Sequence, residues 1–536
     1  LACAHIVSTW YSRTIGDDPD YPFRSRYLGT PAADGRFEHG ATIVDLGLGH
    51  GLRAFIEPVA LARILTSPGL LPKASFGGII VRNAIVNGPL VMHNLHLTSP
   101  LAFVNVKFVG RRYSKELFDN PRRTEDTALA IAYSQFDHHV LIANSEICGR
   151  VNVKDSLFRE TLAFERVTQK TRGCQPTATA PVPPYPEVSV WISSTRFEQG
   201  LSFVGTHLDR LRAIGNRIDS FVASTSSFGR EIRLWENDIG SLQVDCSILA
   251  RKADISYNQV QKDLFIYGTR KSGQTYGAEK KPCDDWWRVN GRLPYDHSTS
   301  LTISSNRIGG GLGLKELDGA LTAAPIDLSS NRVGNGSEIE VPSDAYFDYG
   351  FTEPWTGIVT LEGSTYEGTI TISRAPSSAK VMTDRGDGDY CDPHETIPPK
   401  AAIVDLTAAR IRTLEWNLPF TCDFRWRGYG LTYDLWRVGE EARASAHFEP
   451  QADDQSVLPF WRQMLEIYEP ASLNAMSQYL ADKGSSVSSR SVLLEAKRLN
   501  YAPACPPDWM VLGCPMSMDW PSGRVLDEAG GTQEAS

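Results

Sequence analysis

The chain has 536 residues and a formal net charge of −9, with 41% hydrophobic and 22% charged residues. Such a composition supports a packed core and excludes global disorder. The acidic balance disfavours a phosphate-tracking groove and so nucleic-acid partners. No run of about 18 or more apolar residues occurs, so no transmembrane helix is expected within these residues.

The chain opens Leu1-Ala2-Cys3. This resembles the end of a bacterial lipoprotein signal, a small residue before a cysteine that takes lipid; an arbitrary fragment start reads the same way. Residues 1–75 are expected to form an N-terminal cap with a helix near Leu52–Leu65, ahead of Thr66-Ser67-Pro68-Gly69. Asp45-Leu46-Gly47-Leu48-Gly49-His50-Gly51 follows the apolar run Ala41–Val44 and resembles the glycine-rich first motif of S-adenosylmethionine-dependent methyltransferases. That fold needs several further alternating strands and helices. Only residues 52–75 precede the repeats, so a turn in the cap is the favoured reading.

From Val86 onward one pattern recurs: a bulky residue, two or three spacers, then apolar–x–apolar. It occurs at Val86/Leu90/Met92, Leu97/Leu101/Phe103, Phe136/Val140/Ile142, Ile147/Val151/Val153 and Phe158/Leu162/Phe164. It continues at Phe197/Leu201/Phe203, Leu208/Leu211, Ile218/Phe221, Phe228/Ile232/Leu234, Ile239/Leu242/Val244 and Val260/Leu264/Ile266. Positions 136, 147 and 158 step by 11, and 197, 208, 218, 228 and 239 step by 10 or 11. Asn216, Asn237 and Asn258 fall 21 apart, each two residues before an apolar residue, and Asn306 and Asn331 continue the series.

Alternation with period two is a strand with one buried face. A unit of 10 or 11 residues is one strand plus a turn, and two units make a coil of about 21 residues that buries its inner face only by stacking. The expectation is an all-β fold, a right-handed parallel β-solenoid over 76–435, roughly a dozen coils and on the order of 60 Å long at about 4.8 Å per coil. The asparagines are expected at turn positions in left-handed geometry, stacked as a ladder.

Insertions interrupt the phase at 112–127, 171–187, 269–298 and 375–400. Such excursions often form a solenoid's working surface. The two longest supply the candidate catalytic residues. One carries Asp284 and Asp285, with Trp286 and Trp287 as carbohydrate-stacking candidates, then Tyr295-Asp296-His297; the other carries Asp384, Asp387, Asp389, Asp392, His394 and Glu395. Glycoside cleavage needs two carboxylates flanking the bond. Exposed acidic loop residues are more often merely solvated, so no catalytic residue is assigned. Asp384, Asp387 and Asp389 have oxygen ligands for calcium but not EF-hand spacing. His138 and His139 are read as strand residues facing opposite ways and so unable to share a metal. No metal and no cofactor is expected: Cys-x-x-Cys is absent, and no Gly-x-Gly-x-x-Gly sits in a βαβ unit.

The chain has nine cysteines. Cys174, Cys283 and Cys391 fall in loop-like stretches, which suits disulfides in an oxidising compartment, though reduced thiols fit equally. Residues 455–500 read as amphipathic helices around Leu458/Trp461/Met464/Leu465/Tyr468, Leu473/Met476/Tyr479/Leu480 and Val492–Leu499, a helical hairpin or a cap. The tail 501–536 reads as loosely ordered.

The stretch Ala74-Ser75-Phe76-Gly77-Gly78-Ile79-Ile80-Val81-Arg82-Asn83-Ala84-Ile85-Val86-Asn87-Gly88-Pro89-Leu90 resembles a group of bacterial pentapeptide-repeat-like solenoid proteins. So do Asp405-Leu406-Thr407-Ala408-Ala409-Arg410-Ile411, Gly430-Leu431-Thr432-Tyr433-Asp434 and the helical Leu493-Leu494-Glu495-Ala496-Lys497-Arg498. Some of that group are labelled membrane-associated oxidoreductases, and members often continue into membrane helices. The resemblance supplies no catalytic residues. Together these readings favour a non-enzymatic scaffold or interaction protein of the bacterial cell envelope or periplasm, with an unknown protein partner; a cytoplasmic location fits the composition equally. The alternative is a solenoid that binds or cleaves a polysaccharide through the 269–298 and 375–400 loops.

Overall fold

The computed structural model describes residues 42–45, 54–66, 78–110, 127–169, 190–247, 252–267, 300–315, 325–342, 344–346, 352–355, 357–374, 402–418, 424–439 and individual helical residues between 474 and 497. The chain divides into two compact units, 1–467 and 468–536.

The first unit is a parallel β-solenoid. A 21-stranded sheet and a 17-stranded sheet form its two faces, here the first and second face. Each winding lays one run of about ten residues on the first face, turns a corner, lays a run on the second face and turns back. First-face runs extend from Thr42–Asp45 to Thr432–Val438. Register is kept from winding to winding: Val140 pairs with Leu162, Leu162 with Leu201, Leu201 with Phe221, Phe221 with Leu242 and Leu242 with Leu264. Every apolar residue of the repeat series is buried. Side chains at one position stack directly: Phe136 on Phe158 at 4.8 Å, Phe158 on Phe197 at 5.1 Å and Phe164 on Phe203 at 5.1 Å between ring centroids. This is the strand spacing of a sheet expressed in side chains. Removing a winding's inner face from water is what stabilises each added coil.

The repeat begins earlier than its sequence pattern. Thr42–Asp45 pairs with Ile79–Arg82, and Ala54–Ile56 with Ala84–Asn87, both parallel. The first winding therefore lies inside the stretch expected as a cap. The glycine-rich 46–53 stretch joins two solenoid strands, not a strand and a helix, so the methyltransferase reading has no support. The expected helix forms over Pro58–Thr66, with Leu61 and Leu65 buried. It packs against Leu90–His93 and His96–Leu97, protecting a sheet edge at the start of the rod.

In the second unit the described residues are helical at 474, 477, 478 and 481, and again at 489, 490, 492–494 and 497. The Ser477 hydroxyl reaches the Ser489 carbonyl at 2.8 Å, and both serines and Val492 are buried. Two of the three expected helices thus coincide with helical residues; the Leu458–Tyr468 stretch lies outside the described residues. No helix of the described residues is long and apolar enough to cross a membrane.

Candidate functional site

The solenoid has two corners, and they are built alike. At the corner leading from the second face to the first, each winding places one residue with positive φ and then one buried residue pointing inward. The positive-φ residues include Tyr133, Asp155, Ser194, Gly215, Glu236, Tyr257, Ser305 and Ser330. The inward residues that follow are Ser134, Ser156, Thr195, Asn216, Asn237, Asn258, Asn306 and Asn331, all buried. The asparagines are therefore not the left-handed residues, as expected from their turn preference; their predecessors are. The physical reason is that an inward-pointing polar side chain can answer the backbone groups that the tight corner leaves without a strand partner.

They do so as a continuous ladder. The backbone N–H and side-chain Nδ2 of Asn216 donate to Asn237 Oδ1 at 2.9 and 3.0 Å. Asn237 donates likewise to Asn258 at 3.0 Å in both bonds. Asn258 donates to Asn306, and Asn306 to Asn331, at 2.9 and 3.1 Å each. Each Nδ2 also donates to a carbonyl of the preceding winding, from Ile192 for Asn216 to Ile303 for Asn331. Serine or threonine extends the column: the amides of Leu95, Ser134 and Asn331 donate to the hydroxyls of Ser134, Ser156 and Ser364. This spine corner is fully committed to holding the rod together.

The opposite corner, from the first face to the second, begins with the same device. The amide of Val106 donates to Ser145 Oγ, that of Thr206 to Ser226 Oγ and that of Ser226 to Ser247 Oγ, at 3.0 to 3.2 Å. Nothing in a period-two reading singles out these serines. Among the described residues, Ser247 is the last of this ladder. Insertions then leave this corner after Tyr267, Lys315, Val341 and Arg374, the last residues of four consecutive first-face runs. One contains a small antiparallel hairpin, Asp344–Tyr346 with Thr352–Pro354. The 111–126 and 170–189 stretches instead interrupt second-face runs.

The 269–298 and 375–400 insertions thus share one corner. Tyr267 pairs with Lys315, and through Glu340 that row reaches Ser373. The two roots are three windings apart, about 14 Å at strand spacing. The candidates Asp284, Asp285, Asp387 and Asp389, the tryptophans Trp286 and Trp287, and Tyr295, Asp296, His297, Asp384, Asp392, His394 and Glu395 all lie outside the described residues.

Two polar clusters are described on the faces. At a first-face bend, His138 Nδ1 lies 3.1 Å from Glu160 Oε1, and His139 Nδ1 lies 3.5 Å from Glu160 Oε2. The histidines sit at a bend, not in a strand, so they converge on one carboxylate and the expectation of opposite faces fails. Burial holds His139 below the usual imidazole range, and Glu160 opposes that shift. Beside them His96 meets Asp137 at 3.0 Å. The Gln135 side-chain amide leads a set of donors, with His96 and Arg159, that hold the Asp137 carboxyl below its usual range. Among the described residues no group of histidines, cysteines and carboxylates is arranged to hold a metal. On the second face Glu231 accepts from Arg212 at 2.7 and 3.0 Å, Arg233 lies over the Trp235 ring at 4.6 Å, and Trp235 Nε1 donates to Asp254 at 2.8 Å. These carboxylates are engaged by partners on the same face, an arrangement suited to binding the sheet surface together.

Cys148 and Cys246 are each disulfide-bonded. Comparison with known proteins returns no matching family model, no matching curated protein and no matching solved structure.

Proposed function

We propose that this protein is a non-enzymatic interaction scaffold of the bacterial cell envelope, presenting its partner-binding surface at the insertion corner. One observation carries the reading: four successive windings carry extra chain at that corner, while the asparagine column at the opposite corner runs without interruption from Asn216 to Asn331. A rod that keeps one corner as a spine is free to vary the other without losing its core. The resemblance to bacterial pentapeptide-repeat-like solenoids supports the scaffold role. The disulfide-bonded Cys148 and Cys246 favour an oxidising compartment such as the periplasm.

The test replaces residues 269–298 and 375–400, separately, with short turns patterned on Ser224–Ser227. A photo-crosslinker placed at Lys315, between the two roots, is expected to give one discrete adduct in cells, lost in either replacement while the rod stays folded. An adduct that survives both replacements would contradict the reading.

A second reading keeps one specific support, the shared corner of the two acidic insertions. It makes the protein a polysaccharide-binding or polysaccharide-cleaving solenoid, with Asp284 or Asp285 and Asp387 or Asp389 flanking the bond and Trp286 and Trp287 stacking on sugar rings. Turnover on a polysaccharide panel, abolished by Asp284→Ala or Asp387→Ala, would establish it in place of the first.

A further inference from the structure

We propose that Cys148 is joined to Cys174 and Cys246 to Cys283, so that two insertions are each bonded to the winding before them at the point where they leave the rod. Both described cysteines are disulfide-bonded. They cannot be each other's partner. Cys148 follows the run Val140–Ala143, Cys246 follows Asp238–Asp245, and four register steps separate those runs. Four steps are about 19 Å, whereas bridged Cα atoms lie within about 7 Å.

Position then selects the partners. Ile147 pairs with Gln169, the last described residue before the 170–189 insertion, and Cys148 is the next residue along its own run. Lys170 opens the 170–189 insertion, and Cys174 is that insertion's single cysteine, four residues on. The neighbouring winding on the other side departs at 111–126, which has no cysteine. At the second place Asp245 pairs with Tyr267, the last described residue before the next insertion, and the Cys246 amide donates to the Tyr267 carbonyl at 3.0 Å. Gly268 opens the insertion whose single cysteine is Cys283.

Burial gives an independent sign. Cys246 holds a positive-φ corner position whose equivalents Asn144 and Arg166 are exposed, yet it is 5% exposed. Asp245 beside Cys246 shares the effect: burial pushes its carboxyl above the usual range despite a hydrogen bond from Ser224.

Each bond forms when two thiols lose two protons and two electrons to a protein disulfide of the thiol-oxidase class, joining the sulfurs. The clamp makes the root of each insertion part of the rod.

Peptide mapping of the full chain, alkylated before any reduction, tests the assignment. Linked peptides 148–174 and 246–283 are expected, with none of the four thiols alkylated. A link from Cys246 to Cys391, or alkylation of any of the four in the folded protein, would overturn it. In variants, Cys174→Ser should free only Cys148 for labelling, and Cys283→Ser only Cys246. The crossed pattern would also refute the pairing, and the map of the parent protein decides the matter if a variant fails to fold.

Discussion

At the spine corner every winding from Ser134 to Ser364 turns inward a buried residue, and from Asn216 to Asn331 that residue is always asparagine. At the insertion corner Ser145, Ser226 and Ser247 accept the same kind of bond, Val167 breaks the series, and Ser247 is the last such serine among the described residues. The difference lies in what each side chain can reach. The Ser226 hydroxyl accepts one amide, that of Thr206, and has a single proton to share between the Phe203 and Ser224 carbonyls. An asparagine accepts two bonds from one neighbour and donates to both the next asparagine and the winding behind. The longer side chain therefore couples three windings where serine couples fewer. A corner carrying that load tolerates no insertion, and the opposite corner is where the chain elaborates.

The largest expected effect breaks the spine. Asn258→Leu keeps volume but leaves the amide N–H of Asn237 and one of its two Nδ2 hydrogens without an acceptor, and takes from the Leu234 carbonyl its side-chain donor. Buried unsatisfied groups cost about 1–3 kcal/mol each, so a loss of about 3 kcal/mol or more is expected in urea unfolding. A loss below about 1 kcal/mol would deny the spine its role. Ser226→Ala at the insertion corner should cost less, about 1–2 kcal/mol in the same measurement. Equal costs would erase the contrast between corners.

Two smaller changes sharpen it. Tyr366 lies fully buried in the stacked core, its hydroxyl without a hydrogen-bond partner, and burial alone drives its ionisation well above the phenolic range. Tyr366→Phe should raise stability by roughly 1 kcal/mol, read from the unfolding midpoint. Asp245 tests the insertion corner by pH. Its folded carboxyl titrates above the unfolded value, so the native state holds the proton more tightly. That stability is present in acid and lost as pH rises through the folded value. Asp245→Asn should therefore stabilise the protein at neutral pH and not in acid; an equal gain at both would assign the effect to packing.

The sequence carried the core legibly because its signal is redundant. Phe136, Phe158 and Phe197 are one position read three times, and period-two alternation recurs at fixed phase. The corners carry half that information. Asn216, Asn237 and Asn258 announced a ladder by residue type, but the left-handed residue before each is Gly215, Glu236 or Tyr257, with no shared type to betray it. The second ladder was hidden for the same reason, since Ser145, Val167, Thr206 and Ser226 differ in chemistry while sharing a place. The candidate site was the least legible: Asp284 and Asp387 stand in stretches without period, so only the strands around them show that they leave the same corner.

Native-state hydrogen exchange on the backbone amides of Asn216, Asn237, Asn258 and Asn306 tests the stacked column most directly. All four amides should exchange together, only through cooperative unfolding of the rod, and Asn258→Leu should speed Asn237 and Asn216 with it. Independent exchange at the four positions, at rates typical of exposed turns, would contradict a shared column.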